Sequence, residues 1–413
     1  MTKHWQKHYD ALHTDLVDQG INVEAVITSL QSQVIELPSW AVGNSGTRYG
    51  VFKEAGAARN IWDKIEDCAE IQRVLGVCPV IATHVLWDVT DDGNYLPVRE
   101  YAEEKGMRIG TVHPNTFMGQ QFRLGSICSP DAAVRESTIA HLVDCVRITR
   151  EMGSKVIGMW LADGTNYPGQ DHLRSRKHRL FEGFQALYDA LDPDMTLAIE
   201  YKFFEPGFYT TDLMDWGMST LLTMKLGKQA KVLVDVGHHA QGVNIEHIVS
   251  ILLDEGKLGG FHLNNRKYGD DDLMAGTINP LELFLIFDQL VDASQHEATR
   301  QYASEVVYML DQSHNVEPSI EGIIQSVMNT QTAYAKALLI DRARLGHAQE
   351  AGDVVLANRI LMEAFDTDVQ PLLKHLRETM NRQPDPLLAY RESGYAANIA
   401  ETRTDEGIGT LGG

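Results

Sequence analysis

A chain of 413 residues with 44% apolar side chains is long enough to bury a large core. Its formal net charge of −21, with no lysine- or arginine-rich run to offset the field locally, argues against a nucleic-acid partner. No stretch approaches the ~18 apolar residues of a membrane helix and the amino terminus lacks an apolar signal segment. Cys68, Cys78, Cys128 and Cys145 show no CxxC pairing, so the expectation is a reduced, cytoplasmic protein whose cysteines serve packing.

In chain order, residues 1–35 read as an amphipathic helical segment. Short β-branched runs then begin at Leu37, Cys78, Met107, Lys155, Met195, Lys231, Leu258 and Glu305, separated by longer stretches with helical periodicity, several ending in glycine after a basic residue. Strand followed by helix, repeated about eight times, predicts an α/β protein built as a closed (β/α)8 TIM barrel over residues 36–340. An open doubly wound sheet is the alternative, and the absence of GxGxxG after a first strand counts against its dinucleotide-binding form. Residues 341–413 read as a helical extension that ends in a glycine-rich tail and offers a surface for another subunit.

Residues at the carboxyl ends of barrel strands face the active-site mouth. The second strand ends in His84 with Trp87 and Asp88 behind it, the fourth carries Trp160 and Asp163, and the fifth ends in Glu200, Tyr201 and Lys202. The sixth gives Asp235 and His238, the seventh His262 followed by Asp270, Asp271 and Asp272, and the eighth Asp311 and His314. Any one of these residues has a bland reading as a helix cap or a satisfied core histidine. Gathered at one mouth, however, the carboxylates repel one another, which raises their pKa values or calls for a cation. In "DVGH", Gly237 allows a turn through which Asp235 and His238 address one centre; in "GDDD", an extended backbone sends Asp270 and Asp272 to one side and Asp271 to solvent. The oxygen-rich donor set suits one or two divalent ions, Mn2+ first, with Mg2+, Co2+ or Zn2+ as alternatives. Lys202 reads either as an ion-pair partner or as a contact to a substrate oxygen, and Trp87 and Trp160 either as core aromatics or as an apolar wall for a sugar.

The strings "GGFHLNNRKYGDDDL", "VLVDVGHH", "IEYKFFEPGFY", "MLDQSHN" and "THVLWD" resemble L-rhamnose isomerase, in particular its shorter subtype with relaxed sugar specificity, over a span from about residue 35 to the carboxyl-terminal helices. The resemblance implies a homotetrameric, two-metal barrel related to xylose isomerase that interconverts aldoses and ketoses, L-rhamnose with L-rhamnulose and others such as D-allose with D-psicose, by a hydride shift between C1 and C2. It further implies one ion held by Glu200, Asp235, His262 and Asp311, and a second held by Asp235, His238, Asp270 and Asp272. His84 and Trp87 resemble contacts to the far end of the sugar, Lys202 a contact near the reacting carbons, and Trp160 a pocket wall. The first strand-to-helix loop departs from the pattern; Tyr49 or Phe52 would complete a neighbouring subunit's pocket. Rival readings are a ketose 3-epimerase with one metal and paired glutamate bases, a metal-dependent phosphodiesterase or endonuclease, which −21 disfavours, and a barrel that keeps metals only for stability.

Overall fold

Eight short apolar runs form eight parallel strands that close on themselves: β1 Ile35–Pro38, β2 Val80–Val85, β3 Arg108–Pro114, β4 Val156–Met159, β5 Thr196–Glu200, β6 Ala230–Asp235, β7 Leu258–Leu263 and β8 Val307–Leu310. The computed structural model describes residues 4–47, 50–203, 205 and 208–404. Each strand pairs with the next, and β8 returns to β1 through Ile35↔Tyr308 and Glu36↔Met309. The barrel expected from the strand–helix alternation is therefore the observed fold. β2 and β7 are buried along their whole length, as strands covered on both faces must be.

Short polar caps start the surrounding helices where the sequence places them. Asn60, Asp131, Asp215 and Asn244 each accept a backbone N–H from the first turn of the helix they precede, and Asn279 does so with Pro280 at the first helical position. Gly76 ends the first barrel helix, Ile61–Leu75, in the left-handed conformation at φ 84°. The eighth barrel helix is Ser319–Leu338.

The amino-terminal helices His4–Asp18 and Val23–Gln31 do not stand apart from the chain's end. Tyr9, Leu16, Val26 and Leu30 share one apolar cluster with Leu372, Leu373 and Leu376 of the helix Gln370–Thr379, and Tyr9 stacks on His375 with ring centres 3.9 Å apart. Farther on, Arg403 Nη1 reaches Asp67 Oδ2 on the first barrel helix at 2.8 Å. Of the expected glycine-rich tail, 402–413, Thr402 ends a helix and Arg403 is buried, while residues 405–413 lie outside the described residues.

Two irregularities in register aim side chains at the mouth. Pairing shifts between Val232 and Leu233 on β6, which sets Asp235 directly beside His262. A second shift, between Ile81 and Thr83 on β2, sets His84 beside His113.

Candidate active site

His84, His113, Glu200, Asp235 and His262 lie at or next to the carboxyl ends of their strands, and Asp311 follows β8 by one residue. All but Asp235 line one cavity of about 480 Å3, together with Trp40, Trp87, Phe117, Trp160, Lys202, Glu205, His238, Asp270 and Asp272. Asp235 sits beneath it, fully buried. One part of the wall is a run of ring contacts, from Trp160 through Phe117 to His84 and on to Trp40 and Trp87. Most of the rest is ionisable.

Glu200, Asp235, His262 and Asp311 converge, each offering one donor atom within 4.8 Å of the others. His262 Nδ1 lies 3.1 Å from Glu200 Oε1, 3.2 Å from Asp311 Oδ2 and 3.7 Å from Asp235 Oδ2. Neither nitrogen of its buried ring makes an aligned hydrogen bond. A buried nitrogen without such a bond, ringed by three carboxylates, fits a hard divalent cation with mixed oxygen and nitrogen ligands. Asp235 is fixed from below by Gly237 N at 2.6 Å and by Asn264 Nδ2 at 3.0 and 3.1 Å to its two oxygens. The need for glycine at 237 is one of room: a Cβ there would stand 2.9 Å from Asn264 Oδ1.

The second group is arranged differently. His238 donates Nδ1–H to the Tyr201 carbonyl at 3.0 Å, which turns Nε2 to Asp270 Oδ1 at 2.9 Å and Asp235 Oδ2 at 3.8 Å. Lys202 Nζ takes the other side of Asp270 at 2.5 Å, also reaches Glu205 at 2.6 Å, and stands 5.1 Å over the Trp160 ring. Among the described residues, Asp235, His238, Asp270 and Asp272 do not close into a cluster as tight as the first. Lys202 is thus an ion-pair partner here, while remaining on the cavity wall.

The crowding of acids is visible in their protonation. Burial pushes Asp235 up to about 6, with Glu200 and Asp311 adding to the effect against His238 and His262. Burial, with Asp270, Asp311 and Asp235, raises Asp272 well above the carboxylate range. Burial also opposes ionisation of Asp270, but His238 and Lys202 outweigh it and hold that carboxyl at about 2. Charging of His262 is likewise disfavoured by burial, yet Glu200 and Asp311 raise its pKa well above the ordinary value. Protons and histidine cations balance the acids that divalent ions would balance.

Several sequence expectations need correction. The backbone at Asp270 and Asp272 is left-handed, with φ 48° and 47°, rather than extended. A tight turn, not strand alternation, brings both carboxylates to the cavity, and the third acid closes that turn: Asp271 accepts the backbone N–H groups of Lys267 and Tyr268 instead of facing solvent freely. Asp163 turns away from the mouth to accept from Ser126 N, Ser126 Oγ and Cys128 N. Asp88 is buried against Lys64, Ser39 and the His84 amide, and His314 pairs with Glu317. Phe52 is exposed and does not line the cavity of its own chain, while Tyr49 lies outside the described residues.

Trp40, His113, Phe117, Glu205 and Asn264 belong to the site and were not singled out by sequence. The rule that nominated His84 would have found His113 at the end of β3 and Trp40 just past β1. Phe117 and Glu205 sit in loops, where no periodicity marks them. Trp40 Nε1 donates to Asp311 Oδ1 at 2.9 Å and so orients an acid of the first cluster.

Comparison with known proteins agrees with this fold. The family model described as xylose isomerase-like TIM barrel matches residues 83–297. A probable sugar isomerase of Rhizobium meliloti is 40% identical over 402 residues, covering 96% of this chain and 92% of that one. A xylose isomerase of Thermus thermophilus is 24% identical over 306 residues, 71% of this chain and 76% of its own. The apo structure of a 3-keto-D-glucoside 4-epimerase from E. coli superposes with a TM-score of 0.51 at 13% identity, covering 73% of this chain and 100% of that one, a likeness of fold alone. No helix among the described residues is long and apolar enough to cross a membrane.

Proposed function

Because this chain belongs to the xylose isomerase-like TIM-barrel family, we propose that it is a divalent-metal-dependent aldose–ketose isomerase. Its reaction is the interconversion of L-rhamnose and L-rhamnulose, with related pairs such as D-allose and D-psicose as further substrates, in a homotetramer. The observation that carries this reading is the convergence of Glu200, Asp235, His262 and Asp311 around a histidine nitrogen that lacks an aligned hydrogen bond.

Those four residues would hold the first ion, and Asp235 with His238, Asp270 and Asp272 the second. An ion such as Mn2+ held there would supply Lewis acidity toward the substrate carbonyl and its neighbouring hydroxyl. The protein's own groups do the rest. Trp87, Phe117 and Trp160 give the carbon face of the open-chain sugar an apolar wall and keep water from the reacting carbons. Lys202, held cationic by Asp270 and Glu205 in spite of its burial, presents positive charge to the oxygens at C1 and C2. His84, whose pKa burial and His113 push well below the ordinary value, stays neutral and offers a hydrogen bond to hydroxyls farther along the chain.

The hydrogen that changes carbon would pass directly between C1 and C2. An enediol route needs a free base beside C2. Among the described residues, Glu200 lies between His238 and His262, Glu205 and Asp270 on Lys202, Asp311 on Trp40, Asp235 on Asn264 and Asp272 beside Ser313 Oγ at 3.4 Å. A ketose 3-epimerase would need two glutamates free to act as bases, and Glu200 and Glu205 are both paired.

The test is an assay of a panel of aldoses on chelated protein resupplied with Mn2+, scored for ketose. L-rhamnose should give the highest kcat/KM, and ketose from no aldose at all would end the proposal. Run in D2O, the same reaction should leave C1 of the product essentially free of deuterium.

A further inference from the structure

His113 Nδ1 lies 3.2 Å from the carbonyl oxygen of Thr83. A carbonyl only accepts, so Nδ1 carries the proton and Nε2 of the neutral ring holds a lone pair. That Nε2 is buried and has no partner.

The neighbouring ring presents the complementary problem. His262 turns Nδ1 to Glu200 and Asp311, so when Nδ1 serves as a ligand its Nε2 carries the proton. This Nε2 is also buried without a partner. The two rings lie 5.5 Å apart centre to centre, inclined by 43°, inside the barrel. Room for the His113 ring exists because β4 has glycine beside it: a Cβ on Gly158 would stand 2.3 Å from His113 Nε2. A buried donor and a buried acceptor on neighbouring rings are each costly alone and are satisfied together if one water joins them.

We infer that His113 is a positioning residue for the ion site: its Nε2 accepts, through one bridging water, from the Nε2–H of His262 and thereby fixes the His262 ring with Nδ1 turned to the acids. The inference rests on the metal reading given above and deepens it. Histidine ligands are held in tautomer and orientation by such outer partners, whose removal typically weakens metal binding about 10–100-fold.

Titration of metal-stripped protein with MnCl2 by calorimetry tests it. His113→Phe keeps an aromatic ring but no acceptor and should weaken the tighter Mn2+ site about 10–100-fold. His113→Gln, whose amide oxygen accepts, should recover most of that affinity. Mn2+ binding by His113→Phe as tight as wild type would overturn the inference and leave the proposed function standing. A wild-type chain that binds no Mn2+ would instead remove the proposed function and this role with it. Should His113→Phe fail to fold, nitrogen NMR of the 15N-histidine-labelled wild type loaded with Mg2+ decides: His113 must be the Nδ1–H tautomer, and an Nε2–H signal there would refute the inference.

Discussion

Lys202 Nζ lies 2.5 Å from one oxygen of Asp270, and His238 Nε2 lies 2.9 Å from the other. Two cationic side chains therefore flank the carboxylate on which a second divalent ion depends. Lys202→Met should lower kcat about 10^2–10^3-fold, the usual effect of removing a preorganised charge. Calorimetric Mn2+ binding at that end of the site should be no weaker, because a competitor for Asp270 has gone. A kcat equal to wild type would reduce Lys202 to an ion-pair partner.

Asp235 is the acid common to both proposed ion sites, and Asn264 and Gly237 hold its carboxylate in place. Asp235→Asn should lose both ions in calorimetry and cost about 10^3-fold or more in turnover, since metal stabilisation of several kcal/mol is forfeited. Substantial turnover with one ion still bound would contradict the bridging role.

His262 links metal binding to pH. Its folded pKa lies well above the ordinary 6.5, so the stabilisation its charge brings to the metal-free chain is complete below that value and is lost as pH rises through the folded pKa. In EDTA, the melting temperature should therefore fall from pH 6.5 upward. Mn2+ affinity should move the opposite way, because His262 must give up its Nδ1 proton and Asp235, titrating near 6, its own in order to bind the ion. An affinity that does not vary between pH 5 and 8 would mean that neither group is a ligand.

The pair Arg403–Asp67 ties the last described residues to the first barrel helix, with side chains only 4% and 1% exposed, and Tyr395 donates to the same carboxylate at 2.6 Å. Arg403→Ala should destabilise the fold by about 3–5 kcal/mol in urea denaturation, the cost of leaving one member of a buried pair alone. Activity per folded molecule should not change. A stability loss below about 1 kcal/mol would class the contact with solvent-screened surface pairs.

The sequence alone determined the barrel and most of its mouth. Alternation of β-branched runs with capped amphipathic stretches is a local signal, and the rule that strand ends carry chemistry needs only the order of the strands. Glu200, Asp235, His262 and Asp311 were legible in that way. Tertiary structure decided which polar strand-end residues face the cavity and which, like Asp163 and Asp88, serve the scaffold; that depends on loop direction, and a one-residue change of register reverses a side chain. It also decided that Asp270 and Asp272 meet through left-handed backbone, and that His113 and His262 leave matching unpaired nitrogens. Such relations join residues far apart in the chain, and no local periodicity encodes them.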